Sequence, residues 1–551
     1  MTRNTETHFG NIPTKDIRRS KLKMPFRHLT SMNTGDIIPI FHQEVLPGDT
    51  FSLNESMIVR MTTPIAPVLD NAWIDTYYFF VPRRLVWEHW REFMGENNTD
   101  AWTQETEYTI PKTTAPAATE DDPVGGWKKG SIASYMGARI NTENVWIDSC
   151  YLRSYALIFN EWFRSENVSE PAEMTKGDSN STGSNGNDYV VDAQLGGMPC
   201  KAVKYADYFT RALPSPQKGE DVLLPLGEID GYVTGKEIPF TGTYPNDENM
   251  IDKNLGGFII RNAQGIYTTN FLGYEEGSTE ETVLDSGKSI GFGIKLDQAT
   301  AATINQLRQA FAVQRMAELD ARGGTRYIEM IASHFGVHSP DARLQRPEYL
   351  GGKRVPINMA DVLQNSATDA VTPQGNVAGY SKTIDSHDTF TYSATEHGII
   401  LGLAVIRTEH TYQQGIARSL TRQKKLDFYF PVLANLGEQY IKNREIYAQG
   451  TDEDEEAFGY QEAWADYRYN NNYITGELNS DYETPLDIWH YGDDYDQLPT
   501  LSNEWISETT ENVQRTLAIQ NQDQFIADFY FDLTAVRPMP IYSVPSLGSW
   551  M

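Results

Sequence analysis

The 551-residue chain has only two cysteines, Cys150 and Cys200, too few for a disulfide framework and suited to assembly in a reducing cytoplasm. No apolar run approaches the roughly 18 residues of a membrane-spanning helix, and the first twenty residues, MTRNTETHFGNIPTKDIRRS, lack the apolar core of a secretion signal. Neither membrane insertion nor signal-directed export is expected. Basic residues are also scarce: 46 Lys+Arg face 75 Asp+Glu, a formal net charge of −29. An average surface of that sign repels nucleic acid, so any DNA contact has to be local. Internal repeats are absent. The motifs of common chemistries are missing too. Gly287-Lys288-Ser289 is no phosphate loop, because Thr282 stands where the pattern needs glycine. Asp452, Asp454 and Glu456 begin like a calcium loop, but Ala457 and Ala463 occupy its glycine and glutamate positions. His334 and His338 are split by Gly336, with no glutamate after His334. No GxSxG elbow occurs. No cofactor is implied.

What the chain does have is aromatic residues, 12% of the total, and many glycines and prolines, 42 and 27. These fit a loop-rich β protein, and one elaborated domain over residues 1–551 is expected rather than several. The segment NAWIDTYYFFVPRRLVWEHWREFMG (71–95) is the most informative. Trp73, Tyr77, Phe79 and Val81 share one strand face and Ile74, Tyr78 and Phe80 the other, so both faces need cover. Pro82 ends the strand. Val86, Trp90, Phe93 and Met94 then follow helical spacing up to Gly95, which predicts a helix over Arg83–Met94. Further strands are predicted at Ser56–Thr62, Gly398–Arg407, Leu426–Phe430 and Phe525–Val536, and helices at Leu152–Arg164, Thr303–Ala321 and Tyr327–Phe335. Strands this scattered favour an antiparallel sandwich over a doubly wound sheet. The fold class is mainly β: an eight-stranded antiparallel jelly-roll β-sandwich with long loop insertions and a few short helices. Residues 112–126 and 175–188 read as exposed linkers.

The segment EVLPGDTFSLNESMIVRMTTPIAPVLDN (44–71) runs into the aromatic strand, and the joined stretch resembles the major capsid proteins of the gokushoviruses, small single-stranded DNA bacteriophages of the Microviridae. Further matches follow in order: YLRSYALIFNEWFRSEN (151–167), DYFTRALPSPQKG (207–219), the block 303–352 with DARGGTR and DARLQRPEYLGG, EHGIILGLAVIRTEHTYQQG (396–415), LDFYFPVLANLGEQ (426–439), FGYQEAWADYRY (458–469) and RPMPIYSVP (537–545). The resemblance implies a coat protein of the viral capsid type, tiling a T=1 icosahedral shell of pentamers around circular single-stranded DNA in the virion. It implies as partners further copies of the chain, an internal scaffolding protein, a DNA pilot protein, the genome and a bacterial surface receptor. It also implies that residues 220–300 form a variable inserted subdomain projecting near the threefold axes, for host attachment; a surface loop without a receptor is the plainer reading.

Charge patterning proposes the contacts. The basic arm 1–28 includes Arg18, Arg19, Lys21, Lys23 and Arg27 and is expected inside, near DNA. Arg407–Lys425 holds Arg407, Arg418, Arg422, Lys424 and Lys425 against Glu409; it either binds phosphate, with Tyr412, Phe428 and Tyr429 as base platforms, or pairs with acids of neighbouring subunits. Arg322, Arg326, Arg343, Arg346, Lys353 and Arg354 are expected as structural ion pairs. Thr451–Glu511 carries 17 acids against Arg468 and reads as an acidic exterior face, with looser calcium binding between subunits left open. Trp87, Trp90 and Phe93 are expected at a subunit contact. The alternative function is a carbohydrate-binding or carbohydrate-processing jelly roll using carboxylates such as Asp493 and Asp496.

Overall fold

The computed structural model describes residues 17–96, 107–120, 122–220, 222, 304–363, 365 and 377–542, and the backbone of a hairpin, Phe258–Asn262 with Gly265–Thr269. Residues 1–16 of the basic arm, most of the expected inserted subdomain 220–300 and Thr303 lie outside them. The chain divides into two compact units, Asp221–Gln314 and the remainder.

The larger unit is built on two antiparallel sheets. Their strands are β1 (Ser20–Lys23), β2 (Phe26–Met32), β3 (Ile38–Val45), β4 (Thr50–Met61), β5 (Ala72–Pro82), β6 (Glu348–Pro356), β7 (Thr383–Ser393), β8 (Gly398–Thr408) and β9 (Phe525–Arg537). One sheet runs β1-β9-β4-β7, with β2 also on β9; the other runs β6-β5-β8-β3. β1 and β2 lie end to end along one edge of β9. Pro25, which has no N–H to give, separates them. Counted as one interrupted edge, they leave four strands in each sheet, and the expected capsid-type β-sandwich is present.

Alternation drives the pairing. Phe525, Ala527, Phe529, Phe531, Leu533 and Ala535 on β9 are fully buried, while Ile526 and Tyr530 are exposed. The two sheets meet through rings: Phe41 against Phe531 at 5.3 Å, Tyr78 against Phe390 at 5.5 Å, Phe80 against Tyr392 at 5.0 Å. On β8, Gly402 sits beneath the Tyr78 ring, where a Cβ would come within 2.6 Å. Any other residue there would displace the ring.

β5 is covered on both faces, as its sequence required. Ile74, Tyr78 and Phe80 enter the core between the sheets, whereas Phe79 and Val81 face a second cluster built largely from the protein's own insertions. Its main element is a helix, Ser149–Ile158, which buries Leu152, Tyr155, Ala156 and Ile158 against the outer face of β8. Asp148 caps it by accepting from the Cys150 N–H at 2.8 Å. Both cysteines are free and buried in this cluster, and burial pushes each thiol up to about 12.

Several local expectations are corrected. The helix expected over Arg83–Met94 is two short ones, Arg83–Val86 (α1) and Trp90–Phe93 (α2), broken at Trp87, whose backbone is extended at φ −144°, ψ 121°. The break drives the Trp87 ring inward, where its N–H donates to Asp178 at 2.6 Å. Segments 112–126 and 175–188 are not mere linkers. Lys112–Thr114 pairs with Trp146–Asp148 and Ser181–Thr182, and the buried Thr113 hydroxyl lies 2.8 and 2.9 Å from those of Ser149 and Ser181. Leu426–Phe430 is not a strand: short 3-10 turns at Arg418–Leu420, Lys425–Asp427 and Pro431–Leu433 carry this stretch.

Candidate assembly and nucleic-acid surfaces

The basic arm is anchored on a sheet edge. Lys21 and Lys23 of β1 pair with Val536 and Thr534 of β9, and alternation leaves both lysines exposed while Ser20 and Leu22 are half-buried. Arg18 and Arg19 just before them are exposed as well. Among the described residues, none of these four makes an ion pair; Arg27 does, through a two-pronged bond to Asp528 on the next strand. That hydrogen bond holds the Asp528 carboxyl below its usual range. Arg27 is therefore partly neutralised, and the free charge of the arm lies at 18–23.

The second basic patch is largely consumed within the chain. Arg418 donates to Glu445 at 2.6 Å, Arg422 pairs with Asp466 and stacks over the Tyr467 ring at 4.3 Å, and Arg407 pairs with Asp75. Arg418 and Arg422 are mostly buried, so they are not free to hold DNA phosphates, and the acids they meet belong to this chain, not to a neighbour. Lys424 and Lys425 stay exposed. Tyr412 is buried with its hydroxyl donating to Asp207 at 2.6 Å, which removes it as a base platform. Phe428 and Tyr429 are exposed.

These two belong to a longer exposed apolar tract. Leu420 is 79% exposed, Leu426 71% and Val432 94%, with Phe430 and Leu436 alongside. Polar anchors hold its backbone: the Trp464 N–H donates to the Leu433 carbonyl at 2.8 Å, and the Asp427 carboxylate accepts from the N–H groups of Gln423 and Lys424. A pinned segment that turns its apolar side chains to water is unusual for an isolated protein and typical of a contact surface. Its sequence signal was the apolar run itself, which predicted a strand over Leu426–Phe430. Trp87 and Trp90 are corrected in the opposite direction. They are 0% and 7% exposed inside this chain, so their burial needs no neighbour. Phe93 and Met94 remain exposed.

The acidic segment 451–511 is not simply a solvated face. Asp493 and Glu508 are buried and clamp His410 between them at 3.1 Å each, and Lys204 reaches Asp493 at 3.3 Å. Burial alone would lower the imidazole and raise the acids. The mutual charges outweigh it, pushing His410 up to about 10 and holding Asp493 and Glu508 low. Asp493 also accepts from Tyr495 and Asn512, which leaves it no room to act as an acid or base beside the exposed Asp496. Among the described residues, no group of three or more His, Cys, Asp or Glu is placed to hold a metal ion. His334 instead meets Asp320 at 2.7 Å. Arg322, Arg326, Arg346, Lys353 and Arg354 form ion pairs with Glu438, Glu166, Glu161, Asp385 and Asp75, respectively.

The family model described as capsid protein (F protein) matches residues 10–547. The chain is 40% identical to capsid protein VP1 of Spiroplasma virus 4 over 99% of its own length and 98% of that protein's. It is 38% identical to capsid protein VP1 of Bdellovibrio phage phiMH2K, over 99% and 98%. Against capsid protein VP1 of Chlamydia phage 1 the identity is 36%, over 98% of both chains.

Proposed function

The chain belongs to the phage capsid (F protein) family and is a structural protein of the virion, and from that premise we propose that it tiles a T=1 icosahedral shell of pentamers around a circular single-stranded DNA genome. Assembly takes the place of catalysis. The observation that carries this reading is the exposed apolar tract 416–440, held in shape by Trp464 and Asp427 yet left largely uncovered by the described residues of its own chain. A second copy is the occupant that a family of shell-forming proteins supplies, and obligate contacts between copies bury on the order of 2,000 Å² or more with aromatic enrichment. Lys424 and Lys425 within the tract meet the acidic surplus of that copy. Phe93 and Met94 add a second, smaller contact.

The DNA side is the arm, where Arg18, Arg19, Lys21 and Lys23 carry charge that no acid of the described chain neutralises. Phosphate contacts of this kind attract DNA without reading its sequence. An internal scaffolding protein and a DNA pilot protein would join during assembly in the host cytoplasm, and the inserted residues 220–300 would meet the bacterial receptor. The carbohydrate reading loses its chemistry with Asp493 enclosed. The test is assembly of Leu420→Asp and Val432→Asp variants: unchanged melting with loss of shells supports the assignment, and normal shells overturn it.

A further inference from the structure

A cleft of about 410 Å³ opens on the outer face of the second sheet, on the side away from the core between the sheets, and nothing in the assembly reading uses it. Its walls are rings. Phe79 of β5 lies at its base, fully buried, with Trp162 at 5.4 Å and Tyr349 at 5.6 Å. Phe163 stands edge-on to Tyr77 at 5.1 Å. Tyr349, on the edge strand β6, is 43% exposed and presents its ring to anything entering.

Further along the same sheet face the lining is cationic. Arg354 and Arg407 both lie over the Tyr205 ring, at 4.1 and 4.3 Å, and both donate to the single carboxylate of Asp75. Asp75 also accepts from the Tyr205 and Tyr77 hydroxyls at 2.9 and 3.2 Å, so it is saturated. Two guanidiniums on one carboxylate leave a net positive charge, in a chain whose total is −29. Arg354 is the open one: its side chain is 51% exposed and only its Nε and Nη2 are spent on Asp75. The third cation of the lining, Lys204, is already paired with Asp493.

Flat rings beside a half-exposed guanidinium, in a volume suited to a small planar group, match one chemistry. We propose that this cleft binds an unpaired base of single-stranded DNA, the base stacking on the aromatic wall around Tyr349 and its phosphate meeting Arg354. The site rests on the reading that the shell encloses such a genome. It adds something the basic arm does not supply: selectivity for unpaired bases over duplex, since a paired base cannot leave its stack without unstacking energy.

Titration of the unassembled full-length chain with oligothymidylate, and with an abasic sugar-phosphate oligomer of the same length, separates base stacking from phosphate attraction. The Tyr349→Ala variant, which removes a half-exposed ring, is expected to keep its melting temperature and weaken oligothymidylate binding about 5- to 150-fold, the range one stacked base supplies. Abasic binding should stay unchanged in that variant. Arg354→Gln should weaken both. Equal loss of both ligands in Tyr349→Ala, or no loss of either, overturns the site. In DNA-filled particles, ultraviolet crosslinking should join the genome to Tyr349, Trp162 or Phe163; crosslinks from these residues to protein alone would mean that a polypeptide fills the cleft. Wild-type particles that protect no DNA would refute packaging, while the titration would still decide the cleft.

Discussion

Two buried titratable residues set how the folded chain answers pH. Glu55 points inward from β4 between Leu53 and Met57, fully buried, with the Thr76 hydroxyl donating to it at 3.3 Å. Burial pushes its carboxyl from 4.5 up to about 7. The protonated form is the one the core accepts, so its contribution is complete below about pH 4.5 and is lost as pH rises through 7. Chemical denaturation near pH 5 and near pH 9 should show wild-type stability falling between the two, and Glu55→Gln should remove that part of the fall. His410 acts in the same direction over a higher window. Raised to about 10 from 6.5 by Asp493 and Glu508 against the opposing effect of burial, it gives its full contribution below 6.5 and loses it as pH rises through 10. His410→Ala leaves the buried Glu508 carboxylate without a cation and Asp493 with Lys204 alone, and should cost about 3–5 kcal/mol near neutral pH, read from the denaturation midpoint; a loss under 1 kcal/mol would show the clamp to be slack. Neither cluster was legible in the sequence. Positions 410, 493 and 508 are far apart along the chain, and charge counting placed the two acids on a solvated face.

At the scale of elements, the long strands were legible and the short helices were not. β5, β8 and β9 follow from alternation or from continuous apolar runs, signals that survive because both sheets bury one or two whole faces. The segment after Pro82 has helical spacing, but a single buried indole bonded to Asp178 outweighs the helix propensity of a dozen residues. Trp87→Ala should therefore cost about 3–5 kcal/mol of fold stability, measured by thermal or denaturant unfolding. Phe93→Ser, six residues on and exposed, should leave the fold intact and reduce shell yield. Equal stability loss in the two variants would refute this division of labour. Leu426–Phe430 failed as a strand for a related reason: an apolar run is ambiguous between a core and a contact surface, and here no core lies beneath it. The edge element β1 carries its own prediction. Alanine at Arg18, Arg19, Lys21 and Lys23 should lower packaged DNA, quantified per particle by the ratio of nucleic-acid to protein absorbance, while empty shells still form. Unchanged DNA content would reject the arm's interior position.

For the whole molecule, an excess of 29 negative charges and a large exposed apolar tract pull in opposite directions. The charge keeps separate copies soluble and apart, and the tract lowers its free energy only when covered. Association between copies, which the capsid family implies, resolves the conflict; in the proposed function the few, localised cationic sites are what meets the genome. The sequence resemblance identified the class of protein over most of the chain, because its motifs sit in the sheets and the loops that brace them. What it left open was which surfaces remain unsatisfied in the single chain, since that depends on tertiary cover. Electron microscopy of the purified protein, with and without nuclease treatment, addresses the central claim directly. Uniform icosahedral shells whose DNA survives nuclease are the predicted result; monodisperse monomers with no protected nucleic acid would contradict it.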